Sequence, residues 1–294
     1  MRYIVAVAEA RSFTRAAARM HIAQQALSQQ VRTVEDQIGV ELFTRTSRGV
    51  ATTAPGAVFV QEAKRVLNAA DRAVARTLAA SRGEAGEVRL VYTLTTVYET
   101  FPATVERLAQ TCPGLRVQDR EVFGADVEPL LLEGGHDLAF CPRTALAAEL
   151  RRQEVRREPF VAALATGHRL ARRDSVAVSD LAGELLEVWP REMAPGFYDA
   201  VLGACREAGF EPTVDEHASG STVWGNIAAG RGVGLVVRSL ALQQPRGIVL
   251  VPLDEPAPEL TIDAVWDAGH EIPAVERVLE AAAEVGAQRG WLQR

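Results

Sequence analysis

The sequence predicts a multidomain α+β protein: an N-terminal winged helix-turn-helix, a long linker helix and a C-terminal α/β domain. Three observations carry this. The first stretch of the chain holds short runs with helical apolar spacing, separated by turn residues. One helical pattern then runs unbroken from Ala54 to Ser81. Beyond Gly86, runs rich in Val, Leu and Ile alternate with helical patterns, the signature of α/β architecture.

The bulk numbers set the frame. The chain has 294 residues, 48% hydrophobic and 24% charged, an ordinary globular composition with room for roughly two domains. Cys112, Cys141 and Cys205 are an odd number without a CxxC pair, so neither a disulfide framework nor a zinc pattern is expected. The apolar run Ile4 to Ala8 is too short for a signal segment, and no stretch approaches a membrane span. A cytoplasmic protein without a membrane partner is the expectation. The net charge of −6 is unevenly placed: residues 1–80 hold eleven basic and six acidic side chains (+5), the remainder 21 and 32 (−11). A basic head on an acidic body points to a polyanion as the head's partner. Chance clustering is the plain alternative, and arginine abundance says little where 31 of 32 basic residues are arginine.

In order along the chain, Tyr3, Ile4, Val7 and Ala8 form a first apolar stripe ending near Arg11. Ser12 is a fair N-cap for a second helix that buries Phe13, Ala16, Ala17 and Met20. His21-Ile22 reads as a tight turn. From Ala23, Leu27, Val31, Val34 and Ile38 form one face of a helix ending at Gly39. The opposite face carries Gln24, Gln25, Ser28, Gln29 and Arg32. An amide can pair with the N6/N7 edge of adenine and arginine with the O6/N7 edge of guanine, so this face suits a major groove. Glutamines that merely solvate a surface helix are the alternative. ELFTR–TSRG–VATT then alternates around a Ser-Arg-Gly turn as a β-hairpin, with Arg45 and Arg48 placed for phosphate or minor groove.

From Thr53, a cap, and Pro55 in the first turn, a long helix carries Phe59, Ala63, Val66, Ala70, Val74 and Leu78 along one side. Such a seam implies a partner helix or packing on the chain's own C-terminal domain. Residues 82–86 (RGEAG) read as a hinge. In the body, strands are expected at 88–93, 115–119, 137–141, 160–165, 185–189, 233–237, 248–253 and 260–266, with helices at 101–112, 127–133, 197–208 and 223–229. Thr95 and Thr96 of YTLTT follow the first strand at a helix start, and Ser219, Ser221 and Thr222 of SGSTVWGN repeat that arrangement. A helix N-terminus favours anions. Phe197 follows a Pro-Gly loop as an apolar wall, Gly124 allows close backbone approach, and Arg143 supplies positive charge. Each has a plainer reading: threonines cap helices, Phe197 packs in a core, Arg143 meets solvent.

The run SFTRAAARMHIAQQALSQQVRTVEDQIGVELFTRTSRGV closely resembles the N-terminal domain of LysR-type transcriptional regulators. "LLLEGGHDLAF", "TGHRLARRD" and "NIAAGRGVGLVV" extend the resemblance more weakly over the body. This sequence departs from the family pattern at Ala23 (usually serine), Gln25 (usually proline or a small residue) and Thr52 (often leucine). It also begins inside the family's first helix, which raises an earlier natural start. The resemblance implies a DNA-binding domain at 1–53, a dimerisation helix at 54–82 and an effector-binding domain at 83–294. That last domain would have two lobes like a type 2 periplasmic binding protein, lobe I at 87–160 and 262–294 and lobe II at 161–261. The chain would cross near 158–161 and return near 259–264. It further implies a bacterial regulator, homodimeric and associating into tetramers, acting on dyad-symmetric double-stranded promoter DNA, with RNA polymerase a further candidate partner. By position, Thr95, Thr96, Gly124, Arg143, Phe197, Ser219, Ser221 and Thr222 resemble effector contacts of relatives that sense small aromatic or unsaturated carboxylates. An organic acid is therefore the expected ligand.

Two other functions were weighed on the residues. An enzyme lacks support: His21, His136, His168, His217 and His270 show no metal spacing, no GxSxG or Walker loop occurs, and Cys141 reads as a buried structural cysteine. No catalytic residue, cofactor or metal is expected. A transported-solute receptor would need an export signal and leaves the basic helical head without a purpose.

Overall fold

The computed structural model describes residues 1–46, 49–81, 86–243, 246–270 and 272–293. They fall into two units, Met1–Arg82 with Leu132–Gly135, and Gly83–Leu131 with His136–Arg294.

In the first unit, α1 (Arg2–Ala10), α2 (Phe13–Arg19) and α3 (Gln24–Ile38) are separated by short turns whose backbone leaves the helical region. Arg11 leaves α1 in the left-handed region (φ 48°), and His21 makes the next turn at φ 54°. Ser12 caps α2 by accepting from the Arg15 amide at 3.3 Å. The Arg15 guanidinium donates back to the Ala10 carbonyl at 2.6 Å, filling an acceptor that the end of α1 leaves open. Ala16 and Ala17 are buried, and their small side chains let α2 close on Ile4, Val7, Leu27 and Val31. Ala23 gives α3 no side-chain cap, an omission worth about 1 kcal/mol. The expected apolar face of α3 holds only in part: Leu27 and Val31 are buried, but Ile38, in the last turn, is 43% exposed.

β1 (Phe43–Thr46) and β2 (Gly49–Thr52) pair antiparallel as the expected wing. Glu35 Oε1 accepts from the Leu42 and Phe43 amides at 2.7 and 3.2 Å, which fixes where the wing leaves α3. The linker helix, α4 (Ala54–Ser81), starts at Thr53, whose hydroxyl accepts from the Gly56 amide at 3.0 Å. A Cβ on Gly56 would stand 1.9 Å from the Leu42 carbonyl oxygen, so helix and chain meet here only because this residue is glycine. Along the predicted seam, Ala63 is buried and Phe59 half-buried, whereas Val66, Val74 and Leu78 are 50%, 61% and 51% exposed.

The second unit is α/β. β3 (Glu87–Tyr92), α5 (Thr100–Thr111), β4 (Arg116–Glu121), α6 (Gly124–Leu132) and β5 (Leu138–Pro142) lead into β6 (Leu150–Ala165). Then come β7 (Leu185–Val188), α7 (Pro195–Glu207), β8 (Thr213–Glu216), α8 (Gly220–Ala228), β9 (Gly234–Val237) and β10 (Ile248–Pro252). β11 (Glu259–Asp267) and α9 (Pro273–Arg289) complete it. The order β4-β3-β5-β11-β6 makes one sheet, with α5 and α9 on one face and α6 on the other. At Pro159/Phe160 the long β6 changes partners: residues 150–159 pair with β11, and 160–165 pair with β9 and β10. Phe160, Ala162 and Leu164 are buried on one side of this second sheet, Val161 and Ala163 on the other, because α7 and α8 cover opposite faces.

Several elements differ from the sequence expectation. Residues 150–159 are strand although they read RRQEVRREP plus Leu150: Arg151 and Arg152 are exposed, while the buried Arg156 is held by Glu99 and Glu158. β8 and α9 were not anticipated. YTLTT does not open a helix: Leu94–Thr96 is a single 3-10 turn, and α5 begins only at Thr100.

Candidate functional site

Two surfaces carry the predicted residues. On α3, Gln24, Gln25, Gln29 and Arg32 are exposed and Ser28 half-buried, on the side away from the buried Leu27 and Val31. Gln24 Nε2 donates to Ser28 Oγ at 3.0 Å, which orders the first turn of this face. Arg45 takes its place in β1 opposite Val50. Arg48 and the hinge residues 82–85 lie outside the described residues. The assembled face offers amides and a guanidinium with no apolar residue between them, the donor and acceptor set a major groove requires.

The second surface is a cavity of about 590 Å³ within the α/β unit. One wall comes from the β3–α5 turn, the β4–α6 loop and the end of β5; the other comes from Trp189, the start of α7, Trp224 and the end of β9. Thr95, Gly124 and Phe197 line it. Thr95 Oγ1 and Thr93 Oγ1 are 3.0 Å apart, a hydroxyl pair at one end. Phe197 is edge-on to Trp189 (centroids 5.7 Å), and Trp189 is edge-on to Trp224 (6.2 Å). Burial first, then Glu121, pushes the Tyr98 hydroxyl up, so it is a neutral donor at this wall.

Five predicted ligand contacts stand elsewhere. Thr96 is fully buried and its hydroxyl donates to the Thr93 carbonyl at 2.8 Å, so it serves the turn. Arg143 is off the wall and already paired. Its Nε and Nη2 donate to the two oxygens of the buried Asp263 at 2.9 and 2.7 Å, and Nη2 also reaches Glu154 at 2.8 Å. The hydrogen bond to Asp263 holds its guanidinium pKa well above the usual value. Ser219, Ser221 and Thr222 are exposed at the start of α8, with Ser219 and Ser221 hydroxyls 2.7 Å apart; from the same helix it is Trp224 that reaches the cavity. Ser219, Ser221 and Thr222 are thus on the helix that reaches the cavity but are not among its lining residues. Sequence reasoning missed Trp189, Tyr98 and Arg120. Arg120 is the one basic side chain among the described lining residues, against Glu121, Asp126 and Glu128. The N-termini of α6 and α7, at Gly124 and Pro195, also open here. Cys141 lines the cavity, yet burial pushes its thiol up to about 12, so at neutral pH it is no nucleophile.

Comparison with known proteins adds the following. Residues 1–57 match the model of the bacterial regulatory helix-turn-helix protein, lysR family, and residues 81–287 that of the LysR substrate binding domain. The Escherichia coli (strain K12) protein YnfL, an uncharacterized HTH-type transcriptional regulator, is 33% identical over 273 residues, 92% of each chain. Full-length CbnR complexed with its target DNA matches with a TM-score of 0.78 at 24% identity, over 97% of this chain and 98% of that one. The BenM effector binding domain with its effector benzoate matches with a TM-score of 0.64 at 23% identity, over 71% of this chain and 95% of that one. These two structures share the fold. No helix among the described residues is long and apolar enough to cross a membrane.

Proposed function

The chain belongs to the LysR family of bacterial helix-turn-helix regulators, DNA-binding proteins with an effector-binding domain, and from that premise we propose a ligand-gated transcription switch sensing a small aromatic acid. The observation that carries the ligand class is the cavity. Its wall is aromatic on the side of Trp189, Phe197 and Trp224, and polar on the side of Thr93 and Thr95. An aromatic ring fits among the edge-on rings. A carboxylate fits against the threonine hydroxyls, Arg120 and the two helix N-termini. Arg120 takes the role that the sequence had assigned to Arg143. Benzoate, the ligand of the BenM domain, has this chemistry.

The chain acts as a homodimer through α4 and as a tetramer through its effector domains, in the cytoplasm where promoter DNA lies. Gln24, Gln25, Ser28, Gln29 and Arg32 read bases in a half-site, and Arg45 and Arg48 contact the backbone. Ligand in the cleft biases the arrangement of subunits, and with it the DNA bend offered to RNA polymerase. The test is a gel shift on the intergenic DNA beside the protein's own gene, with and without benzoate and related acids, alongside tryptophan fluorescence. Binding at low salt, and an acid that both alters the complex and quenches emission in wild type but not in Arg120→Ala, is the expected result. No DNA binding by the dimer at low salt overturns the regulator reading. Acids that leave emission unchanged, while neutral aromatics quench it, overturn the ligand class.

A further inference from the structure

Sequence spacing separates the five histidines from any metal pattern, but the fold gathers one of them with two carboxylates, none of the three among the residues that line the cavity. Glu187 of β7 and Asp215 of β8 are paired residues of a parallel ladder, and His217 follows two positions after Asp215. Alternation along a strand therefore puts all three side chains on one face. His217 Nε2 lies 3.2 Å from Glu187 Oε2 and 3.1 Å from Asp215 Oδ2. Metal–nitrogen and metal–oxygen bonds of about 2.0–2.2 Å place adjacent donors roughly 3.0–3.5 Å apart, the spacing these atoms already have. Among the described residues this is the cluster whose ligand atoms all lie within 4.8 Å of one another.

A second feature points to a ligand. Glu187 is only 4% exposed, and its Oε1 is buried without a hydrogen-bond partner. Its place is made by Gly232, where a Cβ would fall 2.7 Å from Glu187 Cγ. Asn226 of α8 presents its amide nitrogen to Glu187 Oε2 at 2.9 Å and to His217 Nε2 at 3.0 Å. One imidazole nitrogen thus faces two carboxylate oxygens and an amide, all at hydrogen-bond distance. A cation among the three would take the Nε2 lone pair and both carboxylates at once, while Asn226 donates to Glu187 alone. Solvent reaches the cluster, since His217 and Asp215 side chains are 24% and 46% exposed.

We propose that Glu187, Asp215 and His217 bind a divalent transition-metal ion of the Zn²⁺ or Mn²⁺ class. One imidazole with two carboxylates suits such ions, whereas Ca²⁺ and Mg²⁺ favour all-oxygen shells. The site has a structural consequence: β7 runs into Trp189, so an ion joining β7 to β8 braces that aromatic wall of the cavity, and Asn226 ties α8, which carries Trp224, to the same carboxylate. The experiment titrates chelator-stripped full-length protein with ZnCl₂, MnCl₂ and CaCl₂, followed by calorimetry and tryptophan emission. One Zn²⁺ or Mn²⁺ per chain, with Ca²⁺ weaker, is expected. Affinity should fall at least about tenfold in His217→Ala and in Asp215→Asn, and hold in His168→Ala. Asp215 is half-exposed, so Asp215→Asn carries the test should His217→Ala fail to fold. Absence of binding at millimolar ion, or wild-type affinity in Asp215→Asn, overturns the site.

Discussion

Arg143 shows how a single contact decides between two roles. Its guanidinium grips both oxygens of Asp263, which is 1% exposed, and Arg152 stands 3.6 Å from the same carboxylate. Arg143→Gln leaves a buried carboxylate with the weaker partner, and should cost on the order of 2 kcal/mol of stability. Chemical denaturation measures this, and effector affinity in the same variant should be unchanged, because the side chain is off the cavity wall. A variant that keeps its stability and loses the ligand contradicts the placement. The assignment was hard to see beforehand because Asp263 is remote in sequence and pairs with Arg143 only once β5 and β11 are adjacent. The exposed polar face of α3 was legible for the opposite reason: Gln24 to Arg32 depend on one helix and its own periodicity.

Among the described elements, α4 carries an exposed apolar stripe, and the proposed dimer covers it. Val66 and Val74 are 50% and 61% exposed, and their spacing continues the turn positions of the buried Ala63. Val66→Asp should shift the protein from dimer to monomer in sedimentation, and weaken operator binding with it, since two half-sites are then contacted by separate chains. A dimer of unchanged stability would place the interface on another surface. Elements with self-contained signals were readable from sequence: α2 by Ser12, α3 by Gly39, the wing by its alternation. The first half of β6 was not, because its charged side chains are held by partners remote in sequence, Arg156 by Glu99 and Glu154 by Arg143. α9 was missed although Pro273 opens it and Gly290 closes it, because its buried face is built largely from Ala281, Ala282 and short valines.

Across the effector unit, the partner change in β6 sits beside an ionic cluster. Arg156, 3% exposed, donates to Glu99 at 2.6 Å and stacks over Trp291 at 4.9 Å, and Arg289 donates to Glu99 at 2.9 Å. Burial alone would raise the Glu99 pKa, but Arg156 and Arg289 outweigh it and hold the carboxyl below its ordinary range. Glu99 therefore adds stability above its unfolded pKa, and this is lost as pH falls through the lower folded value. Glu158, which burial pushes up, has the reverse sign: its contribution is present at low pH and is lost as pH rises through its folded pKa. Thermal melting across the acid range should show a slope that Glu99→Gln flattens; an unchanged slope assigns acid sensitivity to other groups. The division into a DNA-reading head and a ligand-holding body rests above all on what α3 faces. The direct measurement is binding of Gln29→Ala to a panel of operator duplexes, each with one base pair replaced. A face that reads bases predicts a loss of about 1–3 kcal/mol of discrimination confined to one position in each half-site. An equal loss on every duplex, random DNA included, would contradict it.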